Sequence, residues 1–314
     1  MLKVALVGVG GISGAHIPAW EKMEDAELIA LCDIRPERME KYPEKHCYTD
    51  FDEMLEKEKP DILDICLPTY LHADFAVKAM NKGIHVLCEK PVSLKPEDVE
   101  RVYETAKKNH VNFMIAHVLR FWAEYEYIKE LIDNGRYGKL ISGQMTRIGT
   151  IPAWSWDGWM QDEKRSGFVP FDLHIHDLDF LVYALGIPTG VRSARTKRPE
   201  QDSFSVLYDF DGVFVSCDSA WYAGHLPFQS AYRFQFEQAV VVYQGGILKV
   251  YDVDGNVLNL SETDPDQPDM PGIPKNDAYA NEINYFADCV RKGVFPDKVK
   301  PEELSAVLDI LLHL

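Results

Sequence analysis

Several features are missing from this 314-residue chain, and each absence removes a class of function. No run of lysine or arginine exceeds two residues and the formal net charge is −17. The chain therefore does not read as one that neutralises nucleic-acid phosphates or anionic lipid. The six cysteines, Cys32, Cys47, Cys66, Cys88, Cys217 and Cys289, never take C-x-x-C spacing, so neither a zinc site nor a redox pair is expected. Cys32, Cys66 and Cys88 lie inside apolar runs that read as strands, as buried thiols of a reducing compartment do. No stretch approaches about 18 uninterrupted apolar residues. The opening MLKVALVGVGG runs into glycines with no small-residue cleavage site. A cytoplasmic protein with no nucleic-acid and no membrane partner is expected. Internal repeats and low-complexity tracts are absent too.

What is present is apolar: 46% of the residues are hydrophobic, enough at this length for a substantial core and two domains. Up to about residue 118, short β-branched runs alternate with helical periodicity, the pattern of a parallel sheet built from βαβ units. Strands are expected at Leu2–Val7, Glu27–Cys32, Ile62–Leu67, His85–Cys88 and Asn112–Ala116. Helices are expected at 12–23, 36–42, 51–58, 71–82 and 96–109, the last with Pro96 in an opening position. Right-handed crossovers then give a doubly wound α/β fold. Beyond Phe121 come a helix to Asn134, a Gly135–Gly138 turn, a long strand to Gly149, a tryptophan-rich loop and a helix near 171–185. Alternating segments at 190–197, 203–210, 213–222, 231–237, 239–244 and 247–252 read as a largely antiparallel sheet, hence an α+β domain. A proline-rich loop, Pro265 to Pro274, precedes a helix at 277–292, and Pro301 opens a final one.

Gly8-Val9-Gly10-Gly11-Ile12-Ser13 follows a strand and opens a helix, with glycine at two of the three positions of G-x-G-x-x-G. The first glycine permits a tight turn, the second lets a pyrophosphate approach the backbone, and Ser13 is a small substitute where helix packing asks for the third. Asp33, at the end of the second strand, is the acidic residue such a motif places about 20 positions on. It can accept both ribose hydroxyls of NAD and would repel the 2′-phosphate of NADP. Arg35 and Arg38 leave NADP open, since an arginine there can pair with that phosphate, though Arg38 also reads as a solvated helix start.

Gly8-x-Gly10 with His16, Pro68-Thr69 with His72, Cys88-Glu89-Lys90-Pro91, and Asp172 with His176 and Asp179 resemble the Gfo/Idh/MocA family of oxidoreductases over nearly the whole chain. The resemblance implies a Rossmann domain, here 1–118, and a substrate-binding α+β domain, here 119–314, whose open sheet serves homodimers or homotetramers. It implies hydride transfer between a nicotinamide cofactor and a ring hydroxyl or ketone of a sugar, glycoside or cyclitol. The cofactor residues it implies are Gly8, Gly10, Gly11, Ile12, Asp33, Arg35, Leu67, Pro68, Thr69, His72, Glu89, Lys90 and Trp159. Thr69 and His72 could equally cap the following helix. Lys90, Trp154, Asp172, His174 and His176 are the implied substrate residues, with Lys90, Asp172 and His176 catalytic. His176 is the expected acid/base, Lys90 stabilises the alkoxide, and Asp172 orients a neighbouring hydroxyl, with the final holder of the proton, Lys90 or His176, left open by the sequence. Asp172 and His176, four apart on one helix, share a side.

Departures from the family pattern concern His174, which stands where a glycine is usual, Phe168 in the usual Ser-Gly-Gly, and Val118 in place of a frequent asparagine. His174 either narrows the substrate pocket or packs at the domain seam. A metal site from Asp172, His174 and His176 is not expected, because side chains two apart on a helix diverge by about 200°. Trp154 and Trp156 either meet a sugar face or pack between domains. The same fold and cofactor could also serve a glycosidase that oxidises its substrate transiently, or a cofactor-sensing regulator.

Overall fold

The computed structural model describes residues 1–261 and 277–314, and the expected loop from Pro265 to Pro274 lies outside the described residues. The chain forms two compact units, Met1–Val118 with Asp277–Leu308, and Leu119–Asn276 with Asp309–Leu314.

In the first unit β1 (Leu2–Val7), α1 (Ser13–Glu21), β2 (Ala26–Cys32), β3 (His46–Tyr48), α2 (Phe51–Glu58), β4 (Ile62–Ile65), α3 (His72–Met80), β5 (His85–Glu89), α4 (Pro96–Asn109) and β6 (Phe113–Ala116) alternate. Their sheet has the order β3-β2-β1-β4-β5-β6, every described pairing parallel. The reversal of direction falls between β1 and β4, where open α/β sheets bind ligands at the strand C-termini. Strands β4 and β6 are buried at every position, as parallel strands covered on both faces must be.

Two local expectations differ from the fold. The helix expected at 36–42 is only a 3₁₀ turn, Pro36–Arg38, because Met39 is the one buried residue there and a helix would have no face to bury. Strand β3 had no apolar run to announce it: three residues, none of them buried, form an edge beside β2. The helix expected at 277–292 is α8 (Ala278–Lys292), and it belongs to the first unit, which divides the expected second domain of 119–314. Its residues pack on α1 and β5, and Arg291 pairs with Asp25.

The second unit contains α5 (Ala123–Asn134), β7 (Leu140–Thr150), α6 (Glu163–Ser166), a π-helical turn (Pro170–His174) running into α7 (Ile175–Leu185), and β8 (Gly190–Arg198). There follow β9 (Gln201–Phe210), β10 (Val213–Tyr222), β11 (Gln229–Phe236), β12 (Ala239–Gln244), β13 (Ile247–Asp252) and β14 (Val257–Asn259). Helices α8 (Ala278–Lys292) and α9 (Pro301–Leu312) end the chain. The eight strands form one open sheet, antiparallel except where β7 lies parallel to β10. Along β9, Asp202, Phe204, Val206 and Tyr208 are buried while Ser203, Ser205, Leu207 and Asp209 are exposed, so one face carries the core and the other is open.

The core face receives α5 and α7. Tyr125 of α5 meets Phe180 of α7 edge to face at 5.1 Å and Tyr232 of β11 at 5.2 Å. Buried charge pins the same helix. Arg120 donates two hydrogen bonds to Asp179, at 2.9 and 2.6 Å, and Arg147 of β7 donates to Asp177 at 2.8 Å and to the Tyr125 hydroxyl at 3.1 Å. Arg120→Met should leave Asp179 buried without this partner and cost about 3–5 kcal/mol in chemical denaturation. Adding Asp179→Leu should recover most of that loss.

Candidate active site

The turn after β1 is set by a steric demand. Gly8 has φ +94°, and a Cβ there would stand 2.5 Å from the Cys66 carbonyl oxygen, so the chain crosses above β4 only with glycine. Gly10 differs: its φ is not positive, and a Cβ added to it would meet no atom within 4 Å. Neither conformation nor packing explains it, whereas a ligand lying against the backbone would. Ser13 is buried, and its hydroxyl donates to the Gly10 carbonyl at 2.9 Å, tying the turn to the first turn of α1. Ile12 is the N-cap of α1 and makes no side-chain cap, and Gly11 is exposed beside it, so this helix start presents backbone N–H groups.

Asp33 directly follows β2 and is buried. One carboxylate oxygen accepts the Val9 N–H at 2.9 Å; the other accepts Arg35 N–H at 2.9 Å and its Nε at 3.3 Å. A carboxylate has about four acceptor positions, so capacity for a ribose hydroxyl is left. Arg35 is paired with Asp33, so a 2′-phosphate of NADP would have to compete with that carboxylate for it. Arg38 is not merely a solvated helix start, for its Nε donates to the Val9 carbonyl at 3.0 Å and braces the turn.

Beneath the turn lies a buried polar cluster that motif reasoning left without a role. His16 Nδ1 meets Asp64 at 2.8 Å and Nε2 meets Glu89 at 2.9 Å. Asp64 also accepts Trp20 Nε1 at 2.7 Å and the Cys66 thiol at 3.7 Å. Burial alone would lower the pKa of His16, but Asp64 outweighs it and holds the ring well above the ordinary value, as an imidazolium. Burial would raise Glu89, yet the His16 hydrogen bond and charge bring it below the usual carboxylate range. Donor atoms of His16, Asp64 and Cys66 lie within 4.8 Å of one another. Both ring nitrogens are spent on carboxylates, so the arrangement is an ion-pair triad rather than a set of metal donors.

Lys90 follows β5, at the strand end where the fold binds ligands, and its N–H donates to Glu89 at 3.1 Å. The Lys90–Pro91 peptide is cis. His72 opens α3 without capping it. Its two nitrogens face the Pro91 carbonyl at 2.7 Å and the Leu67 carbonyl at 2.6 Å, so it joins the chain after β4 to the chain after β5. Burial pushes its pKa down, and the two carbonyls oppose that push. Thr69 is buried at the head of a 3₁₀ turn, Thr69–Leu71, beside half-buried Leu67 and Pro68.

In the second unit the run from Phe171 to Phe180 is buried at every position except Asp172 and His176. A π turn of this kind is a rare element that recurs at functional sites. His174 takes the opposite side, and its expected contact with substrate gives way to a core position. It is fully buried against the sheet, with Nε2 2.6 Å from the Tyr208 hydroxyl, Nδ1 3.2 Å from Ser219, and Phe204 edge-on at 4.8 Å. Residues at the open end of this helix are preceded by Gly167 (φ +73°) and Phe168 (φ +60°), and Val169 N–H is held by buried Asp202 at 3.2 Å. Trp154 is 73% exposed and Trp156 38%. Trp159 is half-buried in a 3₁₀ segment, Trp156–Gln161, which Arg165 braces through Asp157.

Gly10→Ala should leave the melting temperature near wild type while weakening NAD about tenfold or more in a fluorescence titration. His174 supplies an acid-stability test. Burial pushes it from 6.5 down to about 3, so between these values the unfolded chain binds a proton that the native state refuses. Stability should therefore fall as pH drops through this window, by up to about 1.4 kcal/mol per unit. His174→Gln should flatten that slope in denaturation curves taken across the window.

The N-terminal part, residues 2–117, matches the family model described as the oxidoreductase family with an NAD-binding Rossmann fold, and residues 125–242 match the GFO/IDH/MocA C-terminal domain. D-glucoside 3-dehydrogenase of Escherichia coli K12 is 29% identical over 192 residues, covering 60% of this chain and 55% of that protein. Myo-inositol 2-dehydrogenase of Thermotoga maritima is 29% identical over 189 residues, covering 59% and 55%. The matched region thus spans about half the length of these relatives. Among solved structures, levoglucosan dehydrogenase in complex with NADH and levoglucosan superposes with a TM-score of 0.83 at 17% identity, over 99% of this chain and 96% of that one. An oxidoreductase from Agrobacterium radiobacter in complex with NAD⁺, L-tartaric acid and magnesium gives 0.82 at 19%, over 99% and 94%. With both of its domains matched, the chain belongs to the Gfo/Idh/MocA oxidoreductase family.

Proposed function

We propose that this protein transfers a hydride between NAD and a ring hydroxyl or ketone of a sugar, glycoside or cyclitol. The observation that carries the reading is the pair Asp172 and His176, the two half-buried side chains in the otherwise buried helical run from Phe171 to Phe180. On one side of a helix whose other positions are packed, a carboxylate and an imidazole give a polyhydroxylated substrate both an orienting acceptor and an acid/base. Relatives named as a glucoside dehydrogenase and an inositol dehydrogenase agree with that chemistry.

NAD, when bound, supplies the carbon that exchanges the hydride. The turn from Gly8 to Ile12 would hold its pyrophosphate and Asp33 its ribose. The segment Leu67, Pro68, Thr69 and His72, with Glu89, Lys90 and Trp159, is proposed to border the nicotinamide end. His176 takes the hydroxyl proton as the carbinol is oxidised and returns it in the reverse direction. Lys90 hydrogen-bonds the reacting oxygen and favours its alkoxide character, and Asp172 holds a neighbouring hydroxyl so that the reacting one is presented in a single orientation. Trp154 offers an exposed ring for the apolar face of a sugar.

The open face of the eight-stranded sheet exposes Phe214, Tyr251, Ile247 and Leu207, and a homodimer or homotetramer covering it is part of the proposal. No helix among the described residues is long and apolar enough to cross a membrane. Five of the six cysteines are buried and all are free, which suits the cytoplasm.

Lys90→Ala and His176→Ala should each lower turnover by about 10²-fold or more with NAD binding nearly intact. The measurement is absorbance of the reduced cofactor across a panel of sugars, inositols and glycosides, with NAD and NADP offered separately. Wild-type rates in either variant would remove the assigned roles.

A further inference from the structure

We infer that His16 is a positioning residue for Lys90, acting through Glu89; the inference rests on the role proposed above for Lys90. Lys90 follows a strand end and its backbone is held from both sides. Before it, Glu89 accepts the Lys90 N–H at 3.1 Å; after it, His72 meets the Pro91 carbonyl at 2.7 Å. The first of these grips works only while the Glu89 carboxylate is pointed back at the chain. Glu89 is buried, so a partner must hold it there. His16 is that partner, at 2.9 Å on the other carboxylate oxygen.

The ring cannot turn away from this duty. Its second nitrogen is held by Asp64 at 2.8 Å, Asp64 is itself held by Trp20 at 2.7 Å, and the Tyr279 ring of α8 lies tilted beside it at 5.9 Å. An imidazolium between two buried carboxylates donates to both, which a neutral ring could not do. The link also joins two parts of the nucleotide-binding apparatus. His16 lies in the first turn of α1, directly after the glycine turn, so the element that would receive the pyrophosphate and the residue that would touch the substrate share one buried hydrogen-bond path. Stability alone would not require such a path: an apolar trio of similar volume would serve at least as well, and buried ion pairs are weak stabilisers.

The test reads Lys90 without substrate and then with it. In His16→Asn the shorter side chain cannot reach Glu89. Hydrogen exchange at the Lys90 amide should quicken about tenfold or more, while amides of β6 exchange at wild-type rates. With a turned-over sugar or cyclitol at saturating NAD, kcat should fall about tenfold or more. In the Glu89→Gln background the His16 substitution should add little, because both act on one path. Unchanged exchange at Lys90, or a kcat loss that adds in full to that of Glu89→Gln, overturns the inference. Should His16→Asn fail to fold, Asp64→Asn, which loosens the far side of the ring, is read by the same exchange and kinetic measurements with the same expected direction. If the wild type turns over no member of the panel, the proposed function fails, and the exchange at Lys90 still judges this inference separately.

Discussion

A carboxylate with no water around it must find its hydrogen bonds inside the chain, and in the first unit Asp64 imposes that requirement on everything near it. It sits on β4, fully buried, and draws His16 and Trp20 from α1 and the thiol of Cys66 from the next turn. Because His16 meets it from the first turn of α1, the helix is fixed over the sheet at its opening end, the end that must be still if a phosphate is to bind there. Because His16 then reaches Glu89, the end of β5 is fixed as well. The apolar strands make the sheet stable; the triad decides which loops above it are held.

The second unit uses the same physics in a different place. Arg147 from β7 and Arg120 reach Asp177 and Asp179 on α7, both buried, so the helix that carries His176 is locked in rotation against the sheet. Burial raises Asp177 while Arg147 pulls the other way, and Arg147 is raised in turn by Asp177 against its own desolvation. These pairs are costly to assemble and expensive to break, which is the behaviour wanted of a rotational lock. With the charged residues turned inward, Asp172 and His176 are left on the unburied side. His174, two residues from each, is carried to the sheet by the same rotation.

Much of this was legible in the sequence because it depends on short-range rules. Five of the six parallel strands follow from apolar runs, and the turn from Gly8 to Ser13 follows from glycine spacing between a strand and a helix. What escaped is what depends on partners distant in the chain. Strand β3 exists only because β2 offers it an edge, and its own residues carry no apolar signal. Helix α8 joins the first unit across more than 150 residues of intervening chain, through α1 and β5, a choice no local pattern could announce. The role of His16 was hidden for the same reason, since its two carboxylates lie 48 and 73 residues away. A histidine three residues past the last position of a glycine motif, buried beside Ile17, Ala19 and Trp20, was the available signal. For His174 the helix direction argued only against a shared metal site, so it stayed among the expected substrate residues, and no local pattern names Tyr208 and Ser219 as its destination.

The two glycines at the turn show how a structural and a functional constraint can be told apart within three residues. Gly8 is demanded by the protein itself, because the Cys66 carbonyl occupies the space of any side chain. Gly10 is demanded by nothing in the protein, and an absent side chain that the fold could have accommodated is the mark of a surface kept clear for something else. Asp33 carries the same kind of information in the opposite sense. Its carboxylate already organises Val9 and Arg35, so the turn has its shape before a nucleotide arrives, and Arg35, drawn toward Asp33, is committed within the protein. A 2′-phosphate would have to face the Asp33 charge and compete with Asp33 for the arginine, while a ribose hydroxyl asks only for the carboxylate's remaining acceptor position.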